Sequence, residues 1–248
     1  MADYNNYRTA QGVGTRQAVY DEGLRAYMNK VYGLMAVGMG VTAVAAFGIS
    51  TAAVDAGGQL TSLGMAIYAS PLKWVIMFAP LLVVFAFGAA LNRLSVQGAT
   101  MLFYGFAALM GLSISSIFLV YTPFSIVQTF LVTAIAFAGL SLWGYTTKKD
   151  ISGWGSFLIM GVIGLIVASI VNIFLQSSAM QFAISLLGVL IFAGLTAYDT
   201  QNIKNTYLQM RNSDADFIGK AAIMGALQLY LDFINLFMFL LQFMGNRE

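Results

Sequence analysis

From Leu94 to Thr147 the chain carries no charged side chain, and a polar backbone of that length is stable in such company only as helix inside a membrane. One helix needs about 20 apolar residues to cross roughly 30 Å of hydrocarbon. The stretch is therefore two spans back to back. Thr122-Pro123 divides them, because proline lacks a backbone donor and disfavours helix in the residue before it. Comparable apolar segments run at 31–53, 73–92, 98–121, 124–146, 154–175, 180–203 and 220–245, which predicts an all-α membrane protein, a bundle of seven transmembrane helices. Gln176-Ser177-Ser178 separates the fifth span from the sixth. Asp55, Gly57 and Gly58 mark the first exit loop, and Asn212 to Asp216 mark the longest late one.

Charged residues make up 9% of the chain, against about 25% in a soluble domain, and the spans leave no room for a soluble catalytic domain. One membrane domain over 31–248 is expected, behind a polar segment over 1–30. That segment reads as disordered over 1–18 and interfacial beyond, where Leu24, Tyr27, Met28 and Val31 share a helical face. It lacks the apolar core and cleavage site of a signal peptide. The net charge of +2 is dispersed, so no nucleic-acid surface is indicated. With no Cys and no His, thiolate chemistry and the commonest metal ligand are excluded, and proton chemistry falls to carboxylates. No cofactor is expected. Gly38-x-Gly40-x-x-Ala43 has the outline of a dinucleotide fingerprint but lies inside a span with no strand before it. Pairs such as Ala107-x-x-x-Gly111 and Ala134-x-x-x-Ala138 read as close helix packing.

Of the 12 Lys and Arg residues, all but Lys73 and Arg247 fall on one side if the N-terminus is cytoplasmic, which is the orientation that the positive-inside rule predicts. Seven full crossings then put the C-terminus outside, and a re-entrant last segment would reverse that end.

Asp199 and Asp232 interrupt the last two spans. An ionised carboxylate in hydrocarbon costs several kcal/mol, so each must face the protein interior, where such residues mark proton or ion paths. Gln228, Asp232, Asn235 and Gln242 share one face of the seventh span, and Thr196, Asp199 and Asn202 recur every three residues on the sixth. If these stripes meet, burial and repulsion both disfavour a second negative charge, and the pair holds one shared proton. Such a pair is a pH-sensitive gate, with Thr196, Asn202, Gln228 and Asn235 as candidate polar pore lining. Arg93, at the end of the second span, is a candidate latch that reaches Asp199; its plainer role is a snorkelling anchor.

Thr196-Ala197-Tyr198-Asp199-Thr200-Gln201-Asn202-Ile203 and Leu229-Tyr230-Leu231-Asp232-Phe233-Ile234-Asn235-Leu236-Phe237 resemble the signature of the Bax inhibitor-1 (transmembrane Bax-inhibitor motif) family. Leu24-Arg25-Ala26-Tyr27-Met28 and Asn92-Arg93-Leu94-Ser95 are similar to its bacterial members. The resemblance implies a seven-helix fold with the last helix central and a pH-sensitive calcium leak controlled by two aspartates, which map onto Asp199 and Asp232. It also implies association with other membrane proteins, including a membrane-anchored ATP-dependent protease, and a bacterial inner-membrane location. Calcium itself comes from the resemblance alone; Asp199 and Asp232 would hold it transiently, with amide and backbone oxygens completing the shell.

The expected function is a passive calcium or cation leak, not an enzyme. One alternative is a non-conducting regulator that binds other membrane proteins. Another is an intramembrane aspartyl protease, whose dyad chemistry two such residues could perform. That family expects Gly-x-Gly-Asp at its second aspartate, where this chain has Leu229-Tyr230-Leu231-Asp232.

Overall fold

Each apolar segment becomes a helix, and among the described residues seven are long and apolar enough to cross a membrane. The structure, a computed structural model, describes the backbone of residues 3–246 and the side chains of residues 22–246. The spanning helices are α1 (Asp3–Ala53), α3 (Leu72–Leu91), α4 (Val96–Ile114, prolonged by a 3-10 turn over Ser115–Leu119), α5 (Pro123–Thr146), α6 (Trp154–Leu175), α7 (Ser178–Met210) and α8 (Ala215–Met244). A single turn, α2 (Ser62–Gly64), runs into a wider turn over Met65–Ala69 in the loop after α1.

The helix boundaries follow from local chemistry. Thr122 caps α5 by accepting the Ser125 N–H, with Pro123 in the first turn. Gln176 ends α6 in the left-handed region at φ 50°, and Ser177 then caps α7 by accepting the Met180 N–H. Asp214 caps α8 by accepting the Phe217 N–H at 2.7 Å; a cap of this kind contributes about 1 kcal/mol. In the first exit loop the Asp55 carboxylate accepts the N–H groups of Gly57 and Gln59, and Gly58 takes φ 78°.

Two features differ from the sequence reading. Helix α7 runs past the apolar segment at 180–203 and α8 starts ahead of the one at 220–245, because hydropathy marks the hydrocarbon crossing and not the end of the helix. The link over 54–71 contains helical turns tied to the bundle by the Tyr68 hydroxyl, 2.8 Å from Ser115 Oγ. Pro80 sits inside α3 and is buried, within the span expected at 73–92. At the N-terminus the backbone is helical from Asp3 and continuous with the first span. The expected disordered stretch at 1–18 falls on side chains outside the described residues, while Tyr27, Met28 and Val31 are buried together against the bundle.

The last helix is the most buried: 61% of its most apolar window lies inside, against at most 33% in any other span. It packs against α1, α4, α5 and α7. Large side chains such as Phe124, Phe157 and Phe174 face outward at 74–82% exposure, a surface that suits lipid. Small residues permit the tightest approaches. A Cβ on Gly111 would meet the Thr42 carbonyl oxygen at 2.5 Å and Ala45 Cβ at 2.8 Å, so α4 and α1 touch backbone to backbone there, as the Ala107-x-x-x-Gly111 spacing predicts.

Candidate functional site

The seam between α7 and α8 brings Asp199 and Asp232 together, their side chains within hydrogen-bonding reach. Counting from the turn that joins the helices, Asp232 lies deeper than Asp199 by about 9 Å, so the helices lie tilted or slid against each other. Asp232 is 4% exposed, and its Oδ2 is buried with no hydrogen-bond partner. Asp199 is half-buried. An acceptor in the interior without a donor costs about 1–3 kcal/mol, more when charged, so this oxygen calls for a proton or a cation.

The surroundings fix Asp232 in place. Two residues before it, the fully buried Tyr230 hydroxyl lies 2.6 Å from Thr42 Oγ1 on α1, which also lies 2.8 Å from the Ala107 carbonyl on α4. Because the threonine proton goes to a backbone carbonyl, Tyr230 is the donor to Thr42. Phe103 and Phe106 meet the Tyr230 ring edge to face at 5.7 and 5.8 Å. One residue after Asp232, Phe233 packs on Phe130 and Phe137 of α5, each at 5.4 Å. Helix α8 is thus pinned on both sides of the carboxylate.

The other sequence candidates separate. Thr196 is fully buried, with its hydroxyl donated to the Phe192 carbonyl. Gln228 and Asn235 are half-buried on the shoulder of α8, and Asn235 donates to the Leu231 carbonyl. Gln242 accepts from Gln181 at 2.9 Å, and Gln181 in turn accepts from Asn172, which makes an amide ladder across α6, α7 and α8. Asn202 is exposed, a correction to its place in the polar lining. A three-residue repeat slips about 60° per step on a 3.6-residue helix, and two steps carry Asn202 about 120° from Thr196. Arg93 is exposed beyond the end of α3 and makes no ion pair with Asp199.

Two groups were not singled out from sequence. Buried Gln201 accepts the Ile151 N–H and donates to the Lys149 carbonyl, which fixes the α5–α6 loop. Thr200, Ser141 and Tyr32 form a hydroxyl chain from α7 through α5 to α1. Gln201 lies within the signature, but nothing in its spacing distinguishes it from Asn202.

The described residues contain no cluster of three or more acidic, His or Cys side chains suited to a metal. Two carboxylates without a third are a sparse oxygen set for calcium, which favours six to eight ligands.

The sequence model of a family described as "Inhibitor of apoptosis-promoting Bax1" matches residues 24–248. The chain belongs to this Bax inhibitor-1 family. It is 46% identical to the inner membrane protein YbhL of Escherichia coli, over 91% of this chain and 94% of YbhL. It is 49% identical to an uncharacterised protein of Caulobacter vibrioides over the whole of both chains. It is also 44% identical to protein RP147 of Rickettsia prowazekii, again over both entire chains. The seven apolar helices and these relatives make the chain a multi-pass membrane protein of the Bax inhibitor-1 family.

Proposed function

We propose that this protein is a passive, pH-gated cation leak, with calcium as its ion and the Asp199/Asp232 pair as sensor. The observation that carries the reading is the unpartnered Oδ2 of Asp232 beside a second carboxylate. Two adjacent carboxylates in a water-poor setting cannot both ionise without repulsion. With one proton between them they form an O–H···O⁻ bond across α7 and α8. With none, the seam must part or admit a cation, so protonation and ion occupancy are coupled at one place. The orientation adopted is N-terminus in the cytoplasm, in a bacterial inner membrane, from the positive-inside distribution and the name of the relative YbhL.

Arg93 serves as a latch in the parted state, where it would offer Asp199 a charge-assisted bond. The second reading is a non-conducting regulator of other membrane proteins. The family description, which speaks of inhibiting another protein, favours it. Calcium flux into liposomes containing the purified protein, measured from pH 5 to 8 for wild type, Asp199→Asn and Asp232→Asn, separates the two. The leak predicts flux whose pH dependence either substitution flattens. Flux with identical pH profiles in all three rejects the pair as sensor, and no flux at all supports the regulator.

A further inference from the structure

A groove of about 470 Å³ opens between α1 and α5, and we infer that it is a binding site for one anionic glycerophospholipid, with Arg25 and Asn29 on the phosphate and the upper acyl chain against Phe137, Ala138 and Leu142. The inference is independent of the proposed leak.

Three observations lead to it. The first is polarity. Arg25, Asn29 and Tyr145 line one end of the groove, whereas Met28, Phe137, Ala138 and Leu142 make most of its wall apolar. Arg25 and Asn29 are both exposed, one helical turn apart, so guanidinium and amide present donors to the same anion. Arg25 lies about 10 Å along α1 from Tyr32, which separates the cation at one end of the groove from the hydroxyl floor. An anionic head on a hydrocarbon chain has that same gradient, and a basic pocket between transmembrane helices is suited to such a headgroup.

The second is the floor, whose hydroxyl protons are all engaged. Thr200 donates its hydroxyl proton to the Thr196 carbonyl at 2.7 Å, so Ser141 must donate to Thr200 at 2.8 Å and Tyr32 to Ser141 at 2.7 Å. All three protons are committed inward. The hydroxyl oxygen of Tyr32 keeps acceptor capacity only, so the floor offers no donor to a free anion that entered past Arg25.

The third is the neighbourhood. The loop that follows α5 carries exposed Lys148 and Lys149 beside a single acid, Asp150, a net positive charge that starts three residues after Tyr145 of the groove. A phosphate held there keeps its contact with water, and its chain follows the groove into hydrocarbon.

The test uses the full chain in detergent, titrated with dioleoyl phosphatidylglycerol or dioleoyl phosphatidylcholine and read by native mass spectrometry. One bound phosphatidylglycerol per chain is expected, preferred over phosphatidylcholine by about fivefold, the effect of one basic side chain at an anionic headgroup. Arg25→Gln, a change at an exposed position, should remove the preference. Ala138→Trp, which fills the groove, should remove the bound lipid while Arg25 remains, and thermal unfolding confirms that the variant is folded. Equal retention of both lipids by wild type, or an unchanged preference in Arg25→Gln, overturns the proposal. So does displacement of the lipid by millimolar inorganic phosphate, which would assign the site to a free anion.

Discussion

Replacing Asp232 by Asn tests the shared proton at nearly constant shape. Two unit charges about 4 Å apart at an effective dielectric constant of about 20 repel by about 4 kcal/mol. Asp199 is half-buried, and solvent screening reduces this to about 2 kcal/mol, or roughly a 30-fold change in the balance between the closed seam and any state that parts it. The penalty appears only when the second carboxylate ionises. The closed structure is therefore fully favoured at low pH, where the pair holds its proton, and loses about 2 kcal/mol as pH rises and the proton leaves. In Asp232→Asn the amide donates to Asp199 at every pH and the loss is absent. For a chain of this size about 2 kcal/mol corresponds to roughly 4–8 °C in unfolding midpoint. Thermal unfolding in detergent from pH 5 to 8, without divalent cations, should show the wild-type midpoint falling by about that much more than the variant's. Parallel pH profiles for the two proteins would refute the argument, since no like-charge penalty would then exist at the seam.

Other positions give independent checks. Gly111→Ala places a methyl group against the Thr42 carbonyl and Ala45, and overpacking of this kind should cost about 1–3 kcal/mol in unfolding measurements. Gln201→Ala leaves the Ile151 N–H without its acceptor; a loss of about 1–3 kcal/mol should come with faster proteolysis of the loop around Lys149. Tyr230→Phe removes the donor to Thr42 and should cost about 1 kcal/mol in thermal stability without changing how stability depends on pH.

The seven spans were legible because hydrocarbon imposes one rule, satisfied backbone within an apolar length, and the breaks at Thr122-Pro123 and Gln176-Ser177 were legible because each supplies its own cap. The site was legible in part. Asp199 and Asp232 stood out as isolated charges, yet their contact depends on how α7 and α8 tilt and slide, which no periodicity encodes. Asn202 was placed on the polar face by a three-residue repeat that the true helical pitch turns outward, while neighbouring Gln201 goes in. Tyr32, Ser141 and Thr200 had no legible partner, since their chain joins three helices across sequence separations of 109 and 59 residues and each side chain alone is an ordinary helix component.

The shared proton can be observed directly. Infrared spectra of the protein in lipid at pH 5, the protonated end of the range above, should contain the carbonyl stretch of a protonated carboxyl group that fades towards pH 8 and is absent from the double variant Asp199→Asn/Asp232→Asn. A wild-type spectrum with no protonated carboxyl, or one whose band survives the double substitution, would contradict the account.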